Sequence, residues 1–399
     1  MFARSQFLGS LLTPALLAGA LAWALTSYAE AEVAQAAKRT VPQGFFGATS
    51  GKPMTRFDFD LAREFGVMAS NGVESTRTGF FWSDLQPYAT MADVPAAEAA
   101  KFRAVAGVPT DFSFTDRFVT AAAQHAIEVL PVVVTTPAWA RRDPLRGNSA
   151  PTGTANYARF VGALVDRYGP NGSLWREQPG LRRVPVRDWQ IWNEPDHDYY
   201  WHEQPFQRDY VRLLRAARTT IKRKDPGAKI VLAGLAGRSW DVLGRIYAAG
   251  GRGKFDAVAI HPYTLRVSNV MRIMEFVQAA LKRNRDAARP VWITELSWPA
   301  AKGKVTNSYG FEATEAGAAA NLRAVYPKLV ARRGELGIAR VYWENWISDD
   351  RDPNLSWDWA GLRQYRAAGS RDKPALAALR AIARHYEGCA KSTVATRCR

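Results

Sequence analysis

From Gly44 onward the chain alternates short apolar runs with longer amphipathic stretches. The runs rich in β-branched and aromatic residues read as strands: Gly44–Thr49, Val73–Thr78, Glu128–Thr135, Asp188–Trp192, Lys229–Leu235, Ala257–His261, Val291–Glu295 and Arg340–Trp346. Loops rich in Gly, Pro or Asn follow them, and the segments between carry apolar residues at helical spacing. Tyr210, Leu213, Leu214, Ala217 and Ile221 share one helix face, and Ile273, Phe276, Val277, Ala280 and Leu281 share another. Strict alternation implies parallel pairing, because parallel neighbours need a crossover of about a dozen residues or more. Eight such units with no linker or charge block between them predict a single-domain (β/α)8 barrel, a TIM barrel. A doubly wound open sheet is the alternative, but no Gly-rich dinucleotide fingerprint follows the first strand.

The two ends of the chain read differently. Phe7 to Leu25 is uncharged and mostly Leu and Ala, after a start that carries Arg4. Small-x-small sites follow at Ala29-Glu30-Ala31 and Ala34-Gln35-Ala36. Residues 1–31 are therefore a signal peptide or, left uncleaved, an N-terminal membrane anchor. Either puts the rest of the chain outside the cytoplasm, secreted or periplasmic. Residues 32–40 form a short N-terminal segment, 41–386 the barrel and 387–399 a C-terminal tail. That tail holds both cysteines, Cys389 and Cys398, which in an oxidising compartment are expected to close a short disulfide loop.

Composition narrows the chemistry. With 47% hydrophobic and 23% charged residues, the chain is globular rather than low-complexity or disordered. Five His and two Cys in 399 residues leave little from which to build a zinc site, and no metal or cofactor is expected. The formal charge is +17, yet no basic helix, repeated aromatic–basic pattern or zinc motif supports nucleic-acid binding. In a barrel, Arg141, Arg142 and Arg146 after the third strand fall on the catalytic side, together with Asp349, Asp350 and Asp352 after the eighth. Arg182, Arg183, Arg187, Arg332 and Arg333 fall on the opposite side, so the positive charge is not focused on the site.

A barrel concentrates chemistry at the C-terminal ends of its strands. Two glutamates stand there: Glu194 in Trp192-Asn193-Glu194-Pro195 after the fourth strand, and Glu295 in Ile293-Thr294-Glu295-Leu296 at the end of the seventh. A buried carboxylate is costly unless it is paired, and Arg77 on the second strand is a candidate partner. A pair of carboxylates at the mouth suits glycoside hydrolysis, where one protonates the leaving oxygen while the other attacks or activates water. Their pKa values must then be pushed apart. Asn193 would offer an amide to a sugar hydroxyl, Trp139 a stacking face, and His261 and Tyr263 polar groups at the end of the sixth strand. Asp196 to Tyr200, directly after Glu194, would line a subsite. Trp189 and Trp292, inside strands, read as core.

These residues resemble clan A of the retaining glycoside hydrolases over nearly the whole mature chain. Asn193-Glu194-Pro195, Thr294-Glu295, Gly72-Val73 leading to Arg77 and Trp82, and His261-Pro262-Tyr263 match its motifs in order. The last resembles the His-x-Tyr of family 39. Tyr342-Trp343-Glu344-Asn345-Trp346, Gly361-Leu362 and Lys373-Pro374-Ala375 are similar to bacterial family-39-like hydrolases, including the Psl-type exopolysaccharide hydrolases. Leu296-Ser297 departs from the residues usual after the nucleophile. The resemblance implies a retaining hydrolase acting on a poly- or oligosaccharide, with Glu194 as acid/base, Glu295 as nucleophile, and Trp343 or Trp346 stacking on the sugar. A non-catalytic carbohydrate-binding protein on the same scaffold is the rival reading.

Overall fold

A computed structural model describes residues 39–388. The expected leader, its candidate cleavage sites and both cysteines lie outside the described residues. Eight parallel strands form one sheet: β1 Phe46–Thr49, β2 Ser75–Phe81, β3 Glu128–Val134, β4 Asp188–Ile191, β5 Lys229–Val231, β6 Val258–Ile260, β7 Val291–Leu296 and β8 Ile338–Trp343. The order is β5-β4-β3-β2-β1-β8-β7-β6. Parallel bridges Val231–Ala257 and Leu235–Ile260 join β5 to β6 and close the ring. This is the expected (β/α)8 barrel.

One long helix follows each strand: α1 Leu61–Ser70, α2 Ser113–Gln124, α3 Thr154–Tyr168, α4 Gln207–Lys224, α5 Ser239–Ala248, α6 Val267–Arg283, α7 Glu315–Ala331 and α8 Pro374–Glu387. The face anticipated on α4 is the buried one. On α6 the buried stripe runs through Val270, Met271, Met274, Val277, Ala280 and Leu281 instead. Ile273 and Phe276 flank that stripe, and Phe276 packs outward on Trp240 with ring centroids 4.8 Å apart. Apolar residues three and four apart fit two overlapping faces, and only packing against the sheet selects one.

Strands buried on both faces read as continuous apolar runs, and β3 is buried from Val129 to Val134. Its mates differ from expectation at their ends. β5 is regular only to Val231, and Gly234 and Leu235 continue as single bridges. A hairpin (residues 103–105 with 108–110) and a small sheet of residues 347–348, 363–364 and 371–372 decorate the barrel.

The barrel lumen is filled, not open. Leu130, Val231, Ala257, Ala259, Trp292 and Tyr342 form a separate buried cluster inside it. Gly47 makes room there: a Cβ would sit 2.4 Å from the Tyr342 ring. Below, at the N-terminal end, Arg340 binds Glu128 at 2.9 Å and Asp188 at 3.0 Å and lies over Trp292 at 4.6 Å. This charged floor separates Arg182, Arg183, Arg187 and Lys229, which line a cavity of about 430 Å³ beneath it, from the catalytic mouth.

Candidate active site

The backbone at the end of β4 is bent to present its carboxylate. Trp192 and Glu194 take positive φ, 73° and 38°, a region that costs a non-glycine residue about 1–3 kcal/mol. The fold holds them there. Trp192 donates its N–H to Val133 O, Glu194 donates its own to Gly234 O, and the Trp192 indole donates to Tyr200 O. Gly234 also leaves space for a ring, since a Cβ would lie 2.0 Å from His261 Nε2.

Glu194 and Glu295 meet in the mouth. One carboxylate oxygen of each and one His261 ring nitrogen all lie within 4.8 Å of one another. His261, fully buried, sits 2.6 Å from Glu194 Oε1 and 3.4 Å from Glu295 Oε2 through Nδ1, with Thr294 Oγ1 3.0 Å from Nε2. Arg77 Nη1 donates to Glu295 Oε1 at 2.7 Å, and Tyr263 Oη donates to Oε2 at 2.8 Å. Arg77 also donates to Gln190 Oε1 at 2.7 Å and to Asn193 Oδ1 at 2.6 Å. With its oxygen so engaged, Asn193 has its amide N–H groups left to donate.

The electrostatics set Glu295 apart from a third carboxyl, Glu344. Burial alone would push Glu295 up, but the His261 ring, the Arg77 guanidinium and the Tyr263 hydroxyl outweigh it and hold the carboxyl below its ordinary value. Glu344 follows β8 at the same mouth and accepts from Thr49 Oγ1. Burial, and then the negative charge of Glu295, push it up to about 8 against the pull of Thr49 and Arg77. At neutral pH Glu344 is a neutral acid beside an ionised Glu295. Nothing in the sequence reading marked it as a site residue. The rule that found Glu194 and Glu295, a Glu just past an apolar strand, fits it equally.

Glu194, His261 and Glu295 are the one triple of potential metal ligands grouped this closely among the described residues. His261 bonds Glu194, and Glu295 accepts from Arg77 and Tyr263; the Arg77 cation 2.7 Å from Glu295 opposes a metal ion there.

The three candidate tryptophans differ in exposure. Trp346 is fully buried and donates to Glu64 Oε1 at 2.7 Å. Trp343, 1% exposed, packs beside Trp298 and donates to Ala360 O. Neither presents an open face. Trp139 is half-buried, edge-on to Trp82, and donates to Gln86 O at 2.9 Å. The open aromatic surface instead comes from Tyr309 on the loop after β7 and Tyr199 on the loop after β4, 58% and 75% exposed. Loop aromatics follow no period, so no sequence pattern picks Tyr309 out.

No protein-family model matches the sequence, and no curated protein does. Solved structures do. A family 39 glycoside hydrolase from the gut symbiont Bacteroides cellulosilyticus is 20% identical, with a TM-score of 0.58 over 86% of this chain and 64% of its own. A family 39 β-xylosidase from Caulobacter crescentus is 19% identical, with a TM-score of 0.59 over 86% and 72%. A family 51 α-L-arabinofuranosidase from Bifidobacterium longum is 13% identical, with a TM-score of 0.57 over 88% and 74%. The fold is that of these glycoside hydrolases. The chain spans less than two thirds of the length of the Bacteroides enzyme.

Proposed function

We propose that this chain is an exported glycoside hydrolase that cleaves O-glycosidic bonds in a poly- or oligosaccharide with retention of configuration. The observation that carries the reading is the short Glu194–Glu295 spacing, with one of the pair held ionised. Retaining pairs stand about 5–5.5 Å apart and inverting pairs about 6.5–9.5 Å, which leaves room for a water. One oxygen of each carboxylate within 4.8 Å of the other supports a retaining pair.

In this reading a Glu295 oxygen attacks the anomeric carbon as the bond to the leaving oxygen breaks, and Glu194 gives that oxygen its proton. Arg77 and Tyr263 hold the nucleophile ionised and aimed. The Asn193 amide meets a sugar hydroxyl. His261 fixes the Glu194 carboxyl from below. Water then attacks the glycosyl-enzyme, Glu194 takes the water's proton, and Glu295 leaves as carboxylate. Both steps need protein groups alone.

The test uses the different jobs of the two carboxylates. On an activated aryl glycoside, Glu194→Ala should keep part of the first step and accumulate the glycosyl-enzyme. Added azide should restore its turnover and give a glycosyl azide of retained configuration. Glu295→Gln should fail with good and poor leaving groups alike. Glycan binding without turnover in the wild type would instead establish a carbohydrate-binding protein. Export is tested separately: protein from the native host should begin near Glu32 or Ala37, and a membrane fraction retaining residues 1–25 would identify an anchor.

A further inference from the structure

The proposed chemistry leaves all but one ring of an aromatic cluster at the mouth unused. Tyr263 follows β6, Tyr309 and Phe311 lie between β7 and α7, and Trp357 lies between β8 and α8. Phe311 stacks on Tyr263 with centroids 5.7 Å apart and planes 11° apart, and Tyr309 stacks on Phe311 at 5.7 Å and 21°. Trp357 touches all three, 4.5 Å from Tyr263, 5.5 Å from Tyr309 and 5.7 Å from Phe311. The cluster therefore begins at the ring that hydrogen-bonds the nucleophile and runs outward to Tyr309, which is 58% exposed.

The cluster is also fixed in place. Glu312 accepts from Tyr309 N at 2.7 Å, Gly310 N at 3.0 Å, Ser308 Oγ at 2.5 Å and Ser356 Oγ at 2.7 Å. One carboxylate thus ties the loop after β7 to the loop after β8. Thr306 adds bonds to Pro353 O and to Asn354 Oδ1. Rings held this way lose little freedom when a ligand settles on them. A rigid, partly exposed aromatic face suits a ligand that is flat and apolar on one side and hydroxylated at its rim.

We infer that Tyr309, backed by Phe311 and Trp357, is the stacking face of a platform for the pyranose rings that continue beyond the sugar held by the two carboxylates. The substrate is then a chain that fills at least one subsite besides the cleaved residue. The inference rests on the glycosidase reading for the identity of the ligand, and on the contact through Tyr263 for continuity with the catalytic pair. Were the cluster mere glue between two loops, Tyr309 would add nothing to glycan recognition, because Glu312 and Thr306 already join them.

The test compares the wild type with Tyr309→Ala, Tyr309→Phe and Trp357→Ala. The turnover substrates are aryl monoglycosides and the xylo-, cello- and manno-oligosaccharides that extend them. Binding is read in the Glu295→Gln background on the same oligosaccharides, labelled at the reducing end, and on bacterial exopolysaccharide fragments. Tyr309→Ala should lower the ratio of kcat/KM on the chain to that on the monoglycoside by about tenfold, the worth of one stacked ring. Tyr309→Phe should restore it. Since Tyr309 is exposed, its variants fold even if Trp357→Ala does not. An unchanged ratio in Tyr309→Ala, with aryl glycosides still hydrolysed, overturns the platform and leaves the hydrolase standing. Platform-dependent glycan binding without any turnover keeps the platform and removes the hydrolase. Absence of glycan binding across the panel overturns the platform.

Discussion

Glu344 gives the sharpest thermodynamic expectation. Its carboxyl is raised from an ordinary 4.5 to about 8, first by burial and then by the charge of Glu295. Between those two values the folded chain holds a proton that the unfolded chain has released. The contribution of this group to stability therefore falls as pH rises, by about 1.4 kcal/mol per pH unit. The contribution is fully present below 4.5 and is lost by the time pH passes 8. Over the whole window the loss is about 5 kcal/mol. Glutamine has the shape of the protonated acid, keeps an oxygen to accept the Thr49 hydroxyl, and does not titrate. Glu344→Gln should match the wild type near pH 5 and exceed it by several kcal/mol near pH 8.5. Urea unfolding at pH 5, 6, 7 and 8.5 reads this directly, and a 13C spectrum of glutamate-labelled protein should lose one carboxyl titrating near 8. Parallel stability curves for the two proteins, or a Gln variant that is weaker at every pH, would refute the reasoning.

Two further changes probe the barrel floor and the nucleophile. Arg340→Ala removes the shared partner of Glu128 and Asp188 beside a buried aromatic layer, so it should cost about 1–3 kcal/mol in chemical denaturation. Tyr263→Phe removes the 2.8 Å bond to Glu295 Oε2, a hydrogen bond to a charged group. It should lower kcat/KM about ten- to a hundredfold. Because that bond helps hold the Glu295 pKa down, the acidic limb of the pH–rate profile should move to higher pH. A limb that stays in place would assign Tyr263 to packing.

Much of this was legible in the sequence because the barrel imposes it. Strands buried on both faces must be apolar throughout, so β3 and β7 announce themselves, and a carboxylate just past such a strand stands out against its cost. Arg77, Asn193, His261 and Tyr263 converge on the two glutamates because all four lie on or just past strands whose ends form one ring. What lacked a signal lies in loops or depends on rotation about a helix axis. The stripe of α6 passes between Ile273 and Phe276, a choice made by contact with the sheet. Trp343 at the end of β8 and Trp346 just after it are buried, and their indoles find Ala360 and Glu64, partners outside their own segment. The roles of Tyr309 and Trp357 come from two loops joined by Glu312, and nothing in either loop alone indicates the meeting.

Double displacement requires one protein atom to carry the sugar between the two half-reactions. Activated 2-deoxy-2-fluoro aryl glycosides, offered as a panel of pyranosides, form the glycosyl-enzyme but slow its hydrolysis, so the bound group survives proteolysis and can be located by mass spectrometry. The account predicts a single label on Glu295, absent from Glu295→Gln. A label on Glu194, or release of a product of inverted configuration with no labelled peptide, would contradict it.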